Sequence, residues 1–248
     1  MTLLPQAADL VQKVLVSEAF LSIQGEGKLS GTPSFFIRLS GCNLRCTWCD
    51  TPYASWNPEG NQQSLNQLVD LLLASKSSHI VLTGGEPMLF DAIEPLSLVL
   101  RSSGIHITIE TAGTIFRPSA RLACDLLSIS PKLSNSTPSP TDPRDPTGGW
   151  SARHESRRIN LPVLQQLLDA YPEHQLKFVV SSDKDIAEIH ALLAQLTNWT
   201  PPDILLMPEG VTLPSPATKA WLVDICIKNN FRYCPRLHIE LFGNIRGT

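Results

Sequence analysis

Three of the chain's six cysteines fall within eight residues: Cys42, Cys46 and Cys49, spaced C-x3-C-x2-C, with Trp48 directly before the last. With six cysteines in 248 residues, chance gives that spacing in roughly a few cases per thousand, so composition does not account for it. Three thiolates this close repel one another unless a cation neutralises them, which makes the loop a candidate for metal. Structural zinc normally closes its coordination with four ligands, often as two pairs, whereas Cys124, Cys226 and Cys234 are scattered and read as small core residues. An iron–sulfur cube also normally takes four thiolates, so three leave one iron open to a chelating ligand. Spacing alone also admits a zinc loop completed by a distant Cys or His.

Other residues carry chemistry less specifically. Thr83-Gly84-Gly85-Glu86-Pro87 places a Gly-Gly turn after an apolar run; most such turns only reverse the chain, but with an acid following it could receive an ammonium group. Arg38 is a cation inside the apolar stretch Phe35–Leu39. A buried, unpaired guanidinium is costly, so it should face a carboxylate, either Glu26 or that of a ligand. Gln24 and Glu26 flank Gly25 in a tight loop that by itself reads as a plain turn, although its acceptors would also suit the donor-rich edge of a flat heterocycle. Lys132 follows Ser130-Pro131 directly after an expected strand. His79, His106, His154, His174 and His190 sit in no motif and read as surface or packing residues.

These groups need a scaffold. Strands are expected at Val14–Ile23, Phe35–Leu39, Ile80–Thr83, Ile105–Glu110, Leu126–Ser130, Leu176–Ser181 and Ile204–Met207, with a last extended run at Phe231–Leu241. Helices are expected at Leu65–Ala74, Ile93–Ser102, Leu161–Ala170, Ile186–Leu196 and Thr218–Asn229; the link after Glu110 is interrupted at Pro118. Alternation of this kind gives a parallel sheet covered by helices, open or partly closed into a barrel, with chemistry at the C-terminal strand ends. One domain over residues 1–248 is expected, interrupted by a Pro-rich loop at 133–158 that reads either as a solvated excursion or as a lid, since it starts directly after a strand end. The balance of 20 Lys+Arg against 23 Asp+Glu argues against a dedicated nucleic-acid binder. No apolar run approaches a membrane span and no signal peptide is read, so a cytoplasmic protein is expected.

The cysteine loop, with its aromatic before the last Cys, resembles that of the radical S-adenosylmethionine (SAM) enzymes. That resemblance implies a 4Fe-4S cluster on Cys42, Cys46 and Cys49, SAM on the open iron, and SAM cleavage to a 5′-deoxyadenosyl radical. Ser22-Ile23-Gln24-Gly25-Glu26-Gly27, Phe36-Ile37-Arg38-Leu39, Cys49-Asp50-Thr51, Glu110-Thr111-Ala112-Gly113-Thr114 and Ser130-Pro131-Lys132 together resemble the 7-carboxy-7-deazaguanine synthase family. Weaker matches run through Lys177–Val180 and Met207-Pro208 to His238, so the resemblance covers nearly the whole chain. It implies an abbreviated, partly open (β/α) barrel with about six parallel strands, and a homodimer. The implied reaction contracts 6-carboxy-5,6,7,8-tetrahydropterin to 7-carboxy-7-deazaguanine with loss of ammonia, assisted by Mg2+ and started by hydrogen abstraction at C6. By the same carry-over, Ile23, Gln24, Gly25, Glu26, Arg38, Thr83 and His238 meet substrate. Trp48, Gly84, Gly85, Glu86, Ser130, Pro131 and Lys132 meet SAM, and Thr51 binds magnesium. The expected electron donor is a flavodoxin or ferredoxin. The tail after His238 runs on further than in shorter relatives, whose own chain ends reach the substrate, and Thr248 is not assigned to the site.

A glycyl-radical activase acting on a protein partner would share the cysteine loop and Gly-Gly turn, but has no need of the Ser22–Gly27 loop, Arg38 or Thr51. A cluster- or zinc-stabilised binding module would do no chemistry. Replacing Cys42, Cys46 or Cys49 by Ala should each abolish 4Fe-4S absorbance and SAM cleavage after anaerobic reconstitution, whereas Cys124→Ala and Cys226→Ala should keep both. A colourless, zinc-loaded protein that still turns over a pterin would contradict the reading.

Overall fold

The computed structural model describes residues 10–248. Its nine strands form one sheet in the order β3-β1-β2-β4-β5-β6-β7-β8-β9. These are β1 (Lys13–Ile23), β2 (Pro33–Leu39), β3 (Asn61–Ser64), β4 (His79–Gly84), β5 (His106–Thr111), β6 (Leu126–Ile129), β7 (His174–Val180), β8 (Ile204–Pro208) and β9 (Arg232–Tyr233). β1 runs antiparallel to both β2 and β3, and pairing from β2 through β9 is parallel throughout. The two edges do not meet, as expected for a partly open barrel. The helices are α1 (Pro52–Ser55), α2 (Leu65–Ser75), α3 (Ile93–Ser102), α4 (Gly149–Arg157), α5 (Leu161–Ala170), α6 (Asp183–Leu193), α7 (Pro216–Asn229) and α8 (Leu237–Phe242).

Side-chain alternation along the parallel strands divides the molecule. Ile37, Ile80, Leu82, Ile107, Ile109, Leu127, Ile129, Leu176, Phe178, Val180, Ile204 and Leu206 join the main apolar core with the helices. The opposite parity carries Arg38, Thr83, Glu110, Ser128 and Lys177, all of which line a cavity. A closed barrel of this type fills its interior with branched apolar side chains; here that interior is polar. Helix ends are locally encoded: Ser64 and Gln67 form a reciprocal capping box at α2, and Ser215 caps α7 before Pro216. Among the described residues no helix is long and apolar enough to cross a membrane.

Two expectations are corrected. Phe231–Leu241 is not an extended run: only Arg232–Tyr233 pairs, and Leu237–Phe242 turns helical after Pro235. Residues 133–158 are not an open loop either. They contain a short 3-10 turn, Ser134–Ser136, and helix α4. The segment is strapped to the cysteine loop: the Thr47 N–H donates to the Ser136 carbonyl at 2.8 Å, the Trp48 Nε1–H to the Asn135 carbonyl at 3.1 Å, and the Arg144 guanidinium to the Thr47 carbonyl at 3.0 Å. His154 is completely buried beneath α4. Its Nδ1 accepts the Arg45 N–H at 3.1 Å, and its Nε2 lies 2.9 Å from the Ser136 hydroxyl.

Burial lowers the His154 pKa to about 4, with Arg158 and Lys132 adding to the effect against Glu155. An exposed histidine titrates near 6.5, so between about pH 6.5 and 4 the opened segment takes up a proton that the closed one refuses. The strap is therefore fully held above pH 6.5 and weakens as pH falls towards 4. Proteolytic nicking between residues 138 and 148 should be faster at pH 5 than at pH 7 with a protease active at both, and His154→Gln should erase most of that difference. Nicking of the parent at equal rates would contradict this.

Candidate active site

The cysteine loop leaves β2 through Ser40 and Gly41 and covers the C-terminal end of the sheet. A cavity of about 330 Å³ lies beneath it, lined by Cys42, Cys46 and Cys49 on one side and by Gln24, Glu26 and Arg38 on another. Gly85 brings backbone close to the loop, where an added Cβ would strike the Gly41 and Ala54 carbonyls. The loop is further fixed by the Trp56 Nε1–H, which donates to the Cys46 carbonyl at 2.9 Å, and by Ser55, whose hydroxyl lies 3.1 Å from the Cys49 sulfur. Burial pushes the Cys42 thiol up to about 12 and raises Cys46 as well. Bound iron supplies the charge that would turn them into thiolates. No three His, Cys, Asp or Glu side chains among the described residues converge on a single metal-ion position; a cube of several irons spreads its ligands wider. Three thiols with no fourth, facing a cavity, suit a cluster with one open iron.

The far wall is ionic. Glu26 is ion-paired with Lys177, and its other oxygen lies 3.5 Å from Arg236. Burial alone would raise the Glu26 pKa, but Lys177, then Arg236 and His238, bring it down to about 2. Burial opposes the charge on Lys177 too, yet Glu26 and then Glu110 raise its pKa. Glu110 lies 3.7 Å from the same ammonium and accepts the Thr83 hydroxyl at 2.9 Å. Gly25 makes room for His238, which an added Cβ would strike. Arg38 does not face Glu26, as one expectation had it. Its Nε donates to Glu18 on the neighbouring strand at 2.7 Å, because β1 and β2 pair Glu18 with Arg38 directly. Arg38 also lines the cavity.

Of the expected site residues, Ile23, Gln24, Gly25, Glu26, Arg38, Thr83, His238, the three cysteines, Thr51, Trp48, Gly84, Gly85, Ser130 and Lys132 all line this one cavity. Thr51 flanks α1 without a capping hydrogen bond from its side chain. Lys132 reaches back to the Ser130 hydroxyl and carbonyl at 2.8 and 2.9 Å, with its ammonium 5.7 Å from the Trp48 ring centre. Two expected residues do not line the cavity. Glu86 is wholly buried, and its carboxylate accepts from the Thr111 hydroxyl and from the Ala112 and Met88 N–H groups at 2.8–3.0 Å; it ties the glycine turn to the end of β5. Pro131 is buried outside the cavity lining.

Sequence reasoning missed Lys177, Glu110, Arg236, the stacked pair Phe20–Phe36 (ring centres 5.1 Å apart) and the tail. Contrary to expectation, Thr248 and the residues before it line the cavity mouth. Arg246 anchors them on Glu18 at 3.1 Å and Glu59 at 2.6 Å, with its guanidinium 4.0 Å over the Tyr53 ring. Lys177 carried the same signal as Arg38, one charge inside an apolar strand.

A three-cysteine loop over the C-terminal edge of an open parallel β/α sheet defines a radical SAM enzyme, and residues 36–149 match the radical SAM superfamily. Two curated relatives named 7-carboxy-7-deazaguanine synthase are close over nearly full length. That of Rhodopirellula baltica is 47% identical over 95% of this chain and 89% of its own, and that of Halobacterium salinarum 43% identical over 94% and 92%. The crystal structure of QueE from Escherichia coli superposes with a TM-score of 0.68 at 27% identity, covering 91% of this chain and 95% of that one. The chain belongs to the 7-carboxy-7-deazaguanine synthase family.

Removing the ammonium from the Glu26–Lys177 pair leaves a buried carboxylate with only the more distant Arg236 and His238 to balance it; breaking a buried pair typically costs about 3–5 kcal/mol. Lys177→Met should lower urea-unfolding stability by that order, and the double variant Glu26→Gln/Lys177→Met should regain most of it. A double variant as unstable as the single one would show that the pair is not what the site is built around.

Proposed function

We propose that the chain converts 6-carboxy-5,6,7,8-tetrahydropterin to 7-carboxy-7-deazaguanine and ammonia. The observation that carries this reading is one cavity in which three cluster-type thiols face an ionised carboxylate and a guanidinium. When bound to Cys42, Cys46 and Cys49, a 4Fe-4S cluster supplies one-electron cleavage of SAM, and with it hydrogen abstraction from the substrate.

The chain's own residues bind and orient. Arg38 takes the pterin carboxylate with the guanidinium edge that Glu18 leaves free, a charge-assisted contact. Glu26, held ionised, accepts from the N–H groups of the pyrimidine ring, beside Gln24 and His238. Ile23, Gly25 and Thr83 complete that wall. Ser130, Lys132, Trp48 and the Gly84-Gly85 backbone stand on the SAM side. Glu86 acts one step back, by fixing the glycine turn. Magnesium prefers oxygen ligands and touches few protein groups; the Thr51 hydroxyl, which lines the cavity and meets only the Cys49 sulfur at 3.8 Å, suits it. Residues 133–158 and the tail after His238 cover the site and limit water. A flavodoxin or ferredoxin as reductant, a homodimer and a cytoplasmic location complete the proposal, supported by the family resemblance.

Anaerobically reconstituted protein given 6-carboxy-5,6,7,8-tetrahydropterin, SAM, magnesium and a low-potential reductant should form the deazaguanine product with one ammonia per turnover. Thr51→Val should lower turnover and abolish its magnesium response while cluster content and SAM binding persist. SAM cleavage that never consumes the carboxypterin would overturn the proposal, and a magnesium response like the parent's in Thr51→Val would remove the metal from Thr51.

A further inference from the structure

The cavity side of the cysteine loop belongs to ligands, so an electron for the cluster must enter through the loop's outer face. That face is cationic, although the chain as a whole carries a formal charge of -3. Arg45 sits between Cys42 and Cys46 with its guanidinium 4.2 Å over the Trp150 ring, and Arg153 lies 4.6 Å over the same ring. Arg157, one turn further along α4, borders a shallow depression with Asn43 of the cysteine loop. None of these three arginines has a carboxylate within ion-pair distance among the described residues; the Arg45 guanidinium bonds only the Cys42 and Leu44 carbonyls, both at 2.8 Å. The acids nearby are already committed. Asp142 pairs with Arg144 at 2.7 Å and Glu155 with Arg158 at 2.7 Å. Asp145 accepts the Trp150 N–H at 2.6 Å and the Thr147 hydroxyl at 2.7 Å. Two guanidiniums stacked on a half-buried tryptophan, with a third one turn further along α4 and none of the three ion-paired, give the composition of an interaction hot spot. His154 pins α4 to the Arg45 peptide, so the patch and the cluster loop form one piece.

We infer that Arg45 and Arg153, stacked on Trp150, together with Arg157 one turn further along α4, form the docking surface for an acidic one-electron carrier protein. The inference rests on the radical SAM assignment of the loop and not on the identity of the pterin. One electron leaves the reduced carrier and one arrives at the oxidised cluster; no proton or group is transferred. Attraction between an acidic carrier and this patch raises the encounter rate and makes it fall with salt, while a small inorganic reductant needs no docking.

The test is stopped-flow reduction of the anaerobically reconstituted holoenzyme, once by an acidic flavodoxin in its hydroquinone form and once by dithionite. Arg153→Glu/Arg157→Glu should slow reduction by flavodoxin about tenfold at low salt and flatten its salt dependence, while dithionite reduces parent and variant at the same rate. The milder Arg153→Gln/Arg157→Gln should fall between. A variant that flavodoxin reduces as fast as the parent, with the same salt dependence, would overturn the inference. So would equal losses with both reductants, because the substitutions would then act on the cluster and not on docking. Neither readout requires pterin turnover, so a failure of the proposed reaction leaves this test intact.

Discussion

A carboxylate and an ammonium group, Glu26 and Lys177, meet on the concave face of the sheet with little water around them, and the site is organised by keeping them paired. Neither tolerates being left alone at that depth. Lys177 stands on β7 and Glu26 on the loop after β1, so the pair ties the later part of the parallel run to the antiparallel hairpin at its start. Arg236 and Glu110 complete the balance of charge. The outcome is a carboxylate that stays ionised at any working pH and faces a cavity, which is what a ring edge rich in N–H donors requires.

The opposite wall obeys the reverse logic. Cys42 and Cys46 are thiols whose burial resists ionisation, and the loop reserves its charge for iron. Its shape comes from peptide and indole contacts instead: Gly85 beneath it, Trp56 and Ser55 behind, and the Asn135–His154 strap outside. One cavity therefore joins groups of different electrostatic character, one set held charged by ion pairs and the other a set of buried thiols suited to a cluster.

Much of this was legible in the sequence, for identifiable reasons. The parallel strands were visible because they are covered on both faces and so read as apolar runs. The cysteine spacing survives any reasonable fold. Arg38 announced itself as a charge inside such a run, but its partner Glu18 did not, because cross-strand register is not written locally. Lys177 offered the same signal and was passed over within a strand otherwise rich in Leu, Phe and Val. Glu86 was misplaced because a motif gives a residue's neighbourhood and not the direction of its carboxylate. The coil-like composition of residues 133–158 concealed α4, which depends on the burial of His154 for its place. The tail's position depends on Arg246 meeting Glu18 and Glu59, contacts 228 and 187 residues away in sequence.

On this reading the one cavity presents the C6 carbon of the carboxypterin to SAM. The most direct measurement supplies substrate deuterated at C6 to the anaerobically reduced protein and follows the label by mass spectrometry. Deuterium should appear in the 5′ position of recovered SAM and 5′-deoxyadenosine, and should fall in the former when Arg38 is replaced by Gln. Deuterium that stays entirely in the deazaguanine product or washes into solvent, with SAM unlabelled, would contradict this.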